Sequence, residues 1–159
     1  MKYIVISNEG DLTEHDGHLD FRTLLGPEGK ARVLLHSAYA AAGWVNDCGL
    51  LFPQQYPRNV IGSCVLAAMG ADMQPYAGPI VFTGWDVANT ALGRLELLDT
   101  FRPGLPELIA LCHANVRRAL AGEPVVDLTP SWAEQTREIA DHVRTAATPG
   151  LTITTGRTS

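Results

Sequence analysis

The sequence predicts an α+β fold, a small mixed or antiparallel sheet in the split β-α-β-β-α-β arrangement of ferredoxin-like folds, followed by a C-terminal α-helical hairpin. Short β-branched or aromatic runs separated by turn residues fill the first half of the chain, with a helix of small apolar residues between them. Two later segments keep their apolar residues at helical spacing. The expected organisation is a single domain over residues 1–159. An α+β core covers 1–84, a connecting loop 85–104, the helical hairpin 105–147 and an irregular tail 148–159.

Residues 2–6 (KYIVI) read as a strand that ends at the turn-forming run Asn8, Glu9, Gly10, Asp11. Asp20 opens a short helix that stops at Gly26 and Pro27. Residues 31–36 read as a second strand. Residues 43–45 and 50–52, on either side of Asn46, Asp47, Cys48 and Gly49, read as a hairpin or as a strand with a tight turn. Asn59 is placed to cap a helix over residues 60–69 that is apolar or small on all sides and therefore suited to burial, with Gly70 at its end. Residues 78–84 form a strand fenced by glycines. The hairpin's first helix has Glu107 near its start and Arg117 and Arg118 near its end, as the helix dipole favours, and Gly122 as its stop. Its second helix opens near Ser131 and Glu134 and carries Trp132, Ile139 and Val143 on one face.

With 46% hydrophobic and 18% charged residues, the chain has enough apolar surface to order itself. A formal charge of −5 without a basic stripe argues against direct nucleic-acid binding, and no segment is long and apolar enough to span a membrane. No secretory leader is visible, and Cys48, Cys64 and Cys112 show no disulfide or metal spacing, so a cytoplasmic location is expected.

Cys48 on its turn is the most suggestive nucleophile, with His36 as a candidate base. A tolerated small residue in a turn explains it more simply. Glu14, His15, Asp16 and His18 resemble metal ligands in type but lack the remaining ligands at a recognisable spacing, and a solvated polar loop is the expectation; no metal or other cofactor is expected. His113 and His142 are expected on polar helix faces. Phosphate-binding, dinucleotide-binding and nucleophile-elbow signatures are absent. Trp85, Asp86 and Asn89 follow a strand and combine an aromatic face, a carboxylate and an amide, so they are candidate binding residues, although an ordinary connection in which Trp85 plugs the core and Asp86 caps a turn explains them more simply. Asn46, Asp47 and Cys48 join them if the strand order brings the two loops together.

The KYIVIS start, the segment of Leu24, Leu25, Gly26, Pro27, Glu28 and Gly29, the Asn46-Asp47-Cys48-Gly49 turn, Pro57-Arg58-Asn59 before a small-residue helix and the glycine-fenced strand over residues 78–84 together resemble a family of phage and actinobacterial proteins defined only as a domain of unknown function. Cys48, between the acid and the glycine, and Pro27-Glu28, between two glycines, depart from its pattern. The resemblance covers the first half of the chain and implies an accessory protein of a phage or mobile element. Such proteins act by engaging a host protein or capturing a small signalling ligand, in some cases to counter host defence. The expected function is thus non-enzymatic binding, with a small cysteine-dependent or nucleotide-processing enzyme as the alternative. Any surplus apolar face on the hairpin would serve a homodimer.

Overall fold

The computed structural model describes residues 1–36, 39–72, 74–86, 88–89, 91–93 and 105–124, and every structural statement below concerns those residues. The chain forms β1 (Lys2–Ile6), β2 (Leu12–Asp16), α1 (Phe21–Leu25), β3 (Lys30–Val33), β4 (Ala41–Asn46), a 3-10 turn (Gly49–Leu51), α2 (Val60–Ala68), β5 (Ile80–Asp86), β6 (Ala91–Gly93) and α3 (Leu105–Leu120). The strands make one six-stranded sheet, ordered β2-β1-β5-β4-β3, with β6 also on β5. All pairings are antiparallel. Gly84 pairs with Ala41 of β4 and with Gly93 of β6, so β6 lies on the β1 side of β5.

Strand alternation divides the apolar residues between two cores. Ile4, Ile6, Val33, Val45, Ile80 and Phe82 face α2, whose residues Val60 to Ala67 are all buried because α3 closes over it through Ile109, Cys112 and Val116. Gly43 permits this close layer: a Cβ there would lie 2.6 Å from Leu66 Cδ2. On the outer face, Tyr3, Val5, Ala42, Trp44 and Val81 pack under the much shorter α1, through Leu25 and the half-buried Leu24 and Phe21. Asp20 caps α1 by accepting from Arg22 N at 3.0 Å and Thr23 N at 3.3 Å. The Thr23 hydroxyl also donates to it at 2.7 Å, and these bonds, the hydroxyl's first, hold its carboxyl below the usual range.

The α+β class stands, while the ferredoxin-like order does not form. After residues 7–11, where Ser7 N donates to Asp11 O and Gly10 N to Ser7 O, the chain returns as β2 beside β1 instead of crossing over to a parallel strand. β5 then sits between β1 and β4, and α1 and α2 lie on opposite faces. The stretch containing Glu14, His15 and Asp16 is therefore an edge strand rather than a loop. Residues 50–52 form no strand; Asn46 Oδ1 accepts from Cys48 N at 2.8 Å and turns the chain into the 3-10 turn. The expected loop over 85–104 begins as the β5–β6 hairpin. The first helix of the expected hairpin is α3, while its second, over residues 131–147, lies outside the described residues, as does the tail.

One buried side chain joins the neighbouring ends of β1 and β5 to α2. Asn59 Nδ2 donates to Ile6 O at 3.1 Å and Gly78 O at 3.0 Å, and Asn59 Oδ1 accepts from Gly62 N at 2.8 Å. Its backbone carbonyl accepts from Ser63 Oγ, which in turn accepts from Tyr76 N. Asn59→Ala leaves Gly78 O and Gly62 N unpaired in the core and takes from Ile6 O its second donor, and each unpaired group costs about 1–3 kcal/mol, so a loss of about 2 kcal/mol or more is expected in urea unfolding. Asn59→Asp keeps the cap acceptor but turns a carboxylate toward two carbonyls. It should be no more stable than the alanine variant.

Candidate functional site

The outer face of the sheet carries the most distinctive arrangement of side chains. The register sets Arg32 opposite Trp44, and Trp44 opposite Val81, along one row. Trp44 is anchored by an Nε1–H bond to Thr83 Oγ1 at 2.8 Å, packs against Trp85 with ring centroids 5.9 Å apart, and meets Phe21 of α1 at 4.9 Å. Two cations cover this cluster. The Arg32 guanidinium lies 3.9 Å from the Trp85 ring centroid, and Lys30 Nζ lies 4.9 Å from Phe21 and 5.9 Å from Trp44. Both side chains are exposed, and among the described residues no carboxylate forms an ion pair with either. Farther along the face, His15 stacks on Tyr3 at 4.9 Å.

Of the residues that sequence reasoning singled out, Trp85 lies on this surface, as a half-buried ring supporting a cation. Asp86 and Asn89 serve the β5–β6 turn instead. Asp86 accepts from the backbone N–H groups of Ala88 and Asn89 and, at 2.7 Å, from Asn89 Nδ2, and these bonds, that of the Asn89 side chain foremost, hold its carboxyl below the usual range. Their recognition groups face each other. The turn at Asn46, Asp47 and Cys48 lies away from Trp85. Ala41 pairs with Gly84 at one end of β4, whereas Asn46 lies beyond Trp44 and its partner Val81 at the other.

Asn46 is a structural residue. Its Nδ2 donates to Leu25 O and to Glu28 Oε2, both at 2.8 Å, and the Tyr56 hydroxyl donates to the same carboxylate oxygen at 2.7 Å. Tyr56 first, and Asn46 second, hold Glu28 below the ordinary carboxylate range, while Glu28 raises Tyr56. Glu28 is thus an acceptor locking a turn and is unsuited to delivering a proton near neutrality. Beside this turn, Leu50, Leu51 and Phe52 form an exposed apolar knuckle, with Leu51 73% exposed.

The thiol–imidazole pair is not assembled. Lys30 pairs with Asn46 and Val33 with Gly43, so Cys48, just past Asn46, and His36, just past Val33, flank opposite ends of the β3–β4 pair. His36 is instead tied to the end of α2 through its backbone N–H to Met69 O. Burial pushes the Cys64 thiol up to about 12 and raises Cys112 as well. His113 is half-buried against Gly10 rather than free on a polar face, and burial lowers its pKa. His142 lies outside the described residues. Among the described residues no group of three or more His, Cys, Asp or Glu side chains is placed to hold a metal, and no helix is long and apolar enough to cross a membrane.

Comparison with protein-family models, curated proteins and solved structures found no match. The site rests on geometry alone.

Lys30, Arg32, Phe21 and Trp44 were not singled out in the sequence. The available signal was the alternation Lys30-Ala31-Arg32, which puts both cations on one face of any strand. Thiol titration tests the placement of the cysteines. Native protein should react rapidly at Cys48 alone, and all three thiols should react after denaturation. Rapid native labelling of Cys64 or Cys112 would contradict the packing of α2 against α3.

Proposed function

We propose that this protein is a non-enzymatic binding protein that engages a partner protein through the outer face of its sheet. The observation that carries the reading is the pair of exposed cations, Arg32 and Lys30, held over Trp85, Phe21 and Trp44 without a carboxylate partner among the described residues. A charge seated on a packed ring has lost part of its rotamer freedom before binding, and aromatic–arginine clusters are common recognition hot spots. The complementary partner surface is acidic. An accessory protein of a phage or mobile element that engages a host protein, the role the sequence resemblance implies, fits a surface of this kind. Against the enzymatic alternative, no imidazole among the described residues lies beside Cys48, and hydrogen bonds within the fold hold Asp20, Glu28 and Asp86 toward their charged forms.

The test is purification of the full chain from its own host under gentle conditions, with native mass spectrometry of what accompanies it. Lys30→Glu with Arg32→Glu gives up the ring contacts of both cations, at about 0.5–1 kcal/mol each, so it should melt roughly 2–8 °C below the parent while staying folded at the assay temperature, and should lose the associated protein. Cys48→Ser should retain it. An unchanged set of associated proteins in the charge-reversed variant would refute the reading, and loss of biological effect in Cys48→Ser alone would favour the cysteine enzyme.

A further inference from the structure

We infer that the partner binds by strand addition, as an extended segment with alternating acidic and apolar residues laid along the free edge of β3. This rests on the reading of the protein as a binding protein and specifies how the same region is recognised. β3 ends the sheet, and among the described residues no main-chain hydrogen bond reaches its outer side. The direction of its free groups follows from the register. Asp47 N donates to Gly29 O at 3.2 Å, so Gly29 and Asp47 form a hydrogen-bonded pair. Two-residue alternation then makes Ala31 with Val45, and Val33 with Gly43, bonded pairs as well. The N–H and C=O groups of Lys30 and Arg32 consequently point away from the sheet, ready for an added strand.

The two sides of that edge differ sharply in chemistry. On the outer face stand the Lys30 and Arg32 side chains over their aromatic rings. A groove of about 350 Å³ borders β3 on its inner side, with Ala31, Val33 and Tyr76 in its apolar lining and Arg32, Asp72 and Gln74 in its polar lining. Leu34, 67% exposed, extends the apolar lining beyond the strand. An added strand alternates its side chains between these two sides. Residues beside Lys30 and Arg32 meet positive charge, and the residues between them enter the groove, so an acidic/apolar alternation fits both. A second copy of this chain is disfavoured as the occupant. Antiparallel self-pairing through the free groups of Lys30 and Arg32 sets the cations of one copy opposite or diagonal to those of the other on the same face, and like charges there repel.

The experiment adds a synthetic peptide, Glu-Val-Glu-Val-Glu-Val-Glu with blocked ends, to the full chain and follows amide hydrogen exchange residue by residue by NMR. In the free protein the Ala31 and Val33 amides, already bonded to β4, should exchange slowly, and the Arg32 amide rapidly. Saturating peptide should slow Arg32 by roughly tenfold or more, and the matching Lys-Val-Lys-Val-Lys-Val-Lys peptide should bind roughly tenfold more weakly. N-methylation of the peptide residues that face β3 should abolish protection. Strand addition is overturned if the Arg32 amide stays unprotected, or if the lysine peptide protects it equally. If it is overturned while the Lys30→Glu, Arg32→Glu variant still loses its natural partner, the binding reading stands and only the mode fails. A variant that keeps its partner removes the binding reading itself.

Discussion

The amide of Asn59 is the constraint on which the remaining architecture depends. A fully buried side chain that donates to carbonyls beside β1 and β5, and accepts from the first turn of α2, fixes two strands and a helix relative to one another. Few alternative placements satisfy all of those groups, and leaving any unpaired in the core is costly. Once α2 is pinned there, its apolar surface is shared between the sheet and α3, and Gly43 lets Leu66 approach the strands closely. That concentrates the larger core on one side. The outer face is left to a five-residue helix, α1, which covers Tyr3, Val5 and Val81 but leaves the β3 side of Trp44 and Trp85 to be covered by Lys30 and Arg32.

The position of those two cations also explains how a sheet edge that none of the described residues covers can persist. Edge strands with free main-chain groups invite aggregation, and natural proteins guard them with charge. Here the guards discriminate: they oppose a second β3 and favour a segment carrying carboxylates. The net charge of −5 works in the same direction, keeping copies of the chain apart while a local positive spot remains on an otherwise acidic molecule. The knuckle of Leu50, Leu51 and Phe52 at the far end of β4 lacks such discrimination, since it offers apolar area without a charge to select a partner.

Much of the local structure was legible in the sequence, and the reasons are particular. Residues 2–6 and 78–84 read as strands because β-branched and aromatic residues lie between turn formers. Asn59 with the small-residue run behind it read as a capped, buried helix because the cap type and the lack of a polar face both point there. β2 was missed because Thr-Glu-His-Asp at an exposed edge has no apolar alternation; only pairing with Lys2 to Ile6 makes it a strand. The sheet order was not legible, since the insertion of β5 between β1 and β4 is decided by contacts far apart in sequence. Of the candidate site, Trp85 was visible as an aromatic at a strand end. Asp86 and Asn89 were visible too, but a short polar pair three residues apart is equally suited to bonding with itself, as it does here. Lys30 and Arg32 acquire meaning only when β3 is paired with β4 and Trp44 lies beneath them.

The central claim is that the β3 edge and its cation–aromatic face form the contact surface. Hydroxyl-radical footprinting of the partner-bound and the free protein, read by mass spectrometry, tests this without altering any residue. Oxidation of Trp85, Phe21 and Leu34 should fall in the complex, while Leu51 and Phe52 on the knuckle remain as reactive as in the free chain. Protection confined to Leu50, Leu51 and Phe52, with Trp85 and Leu34 unchanged, would contradict the account and place the contact on the turn after β4, past the Lys30 end of β3.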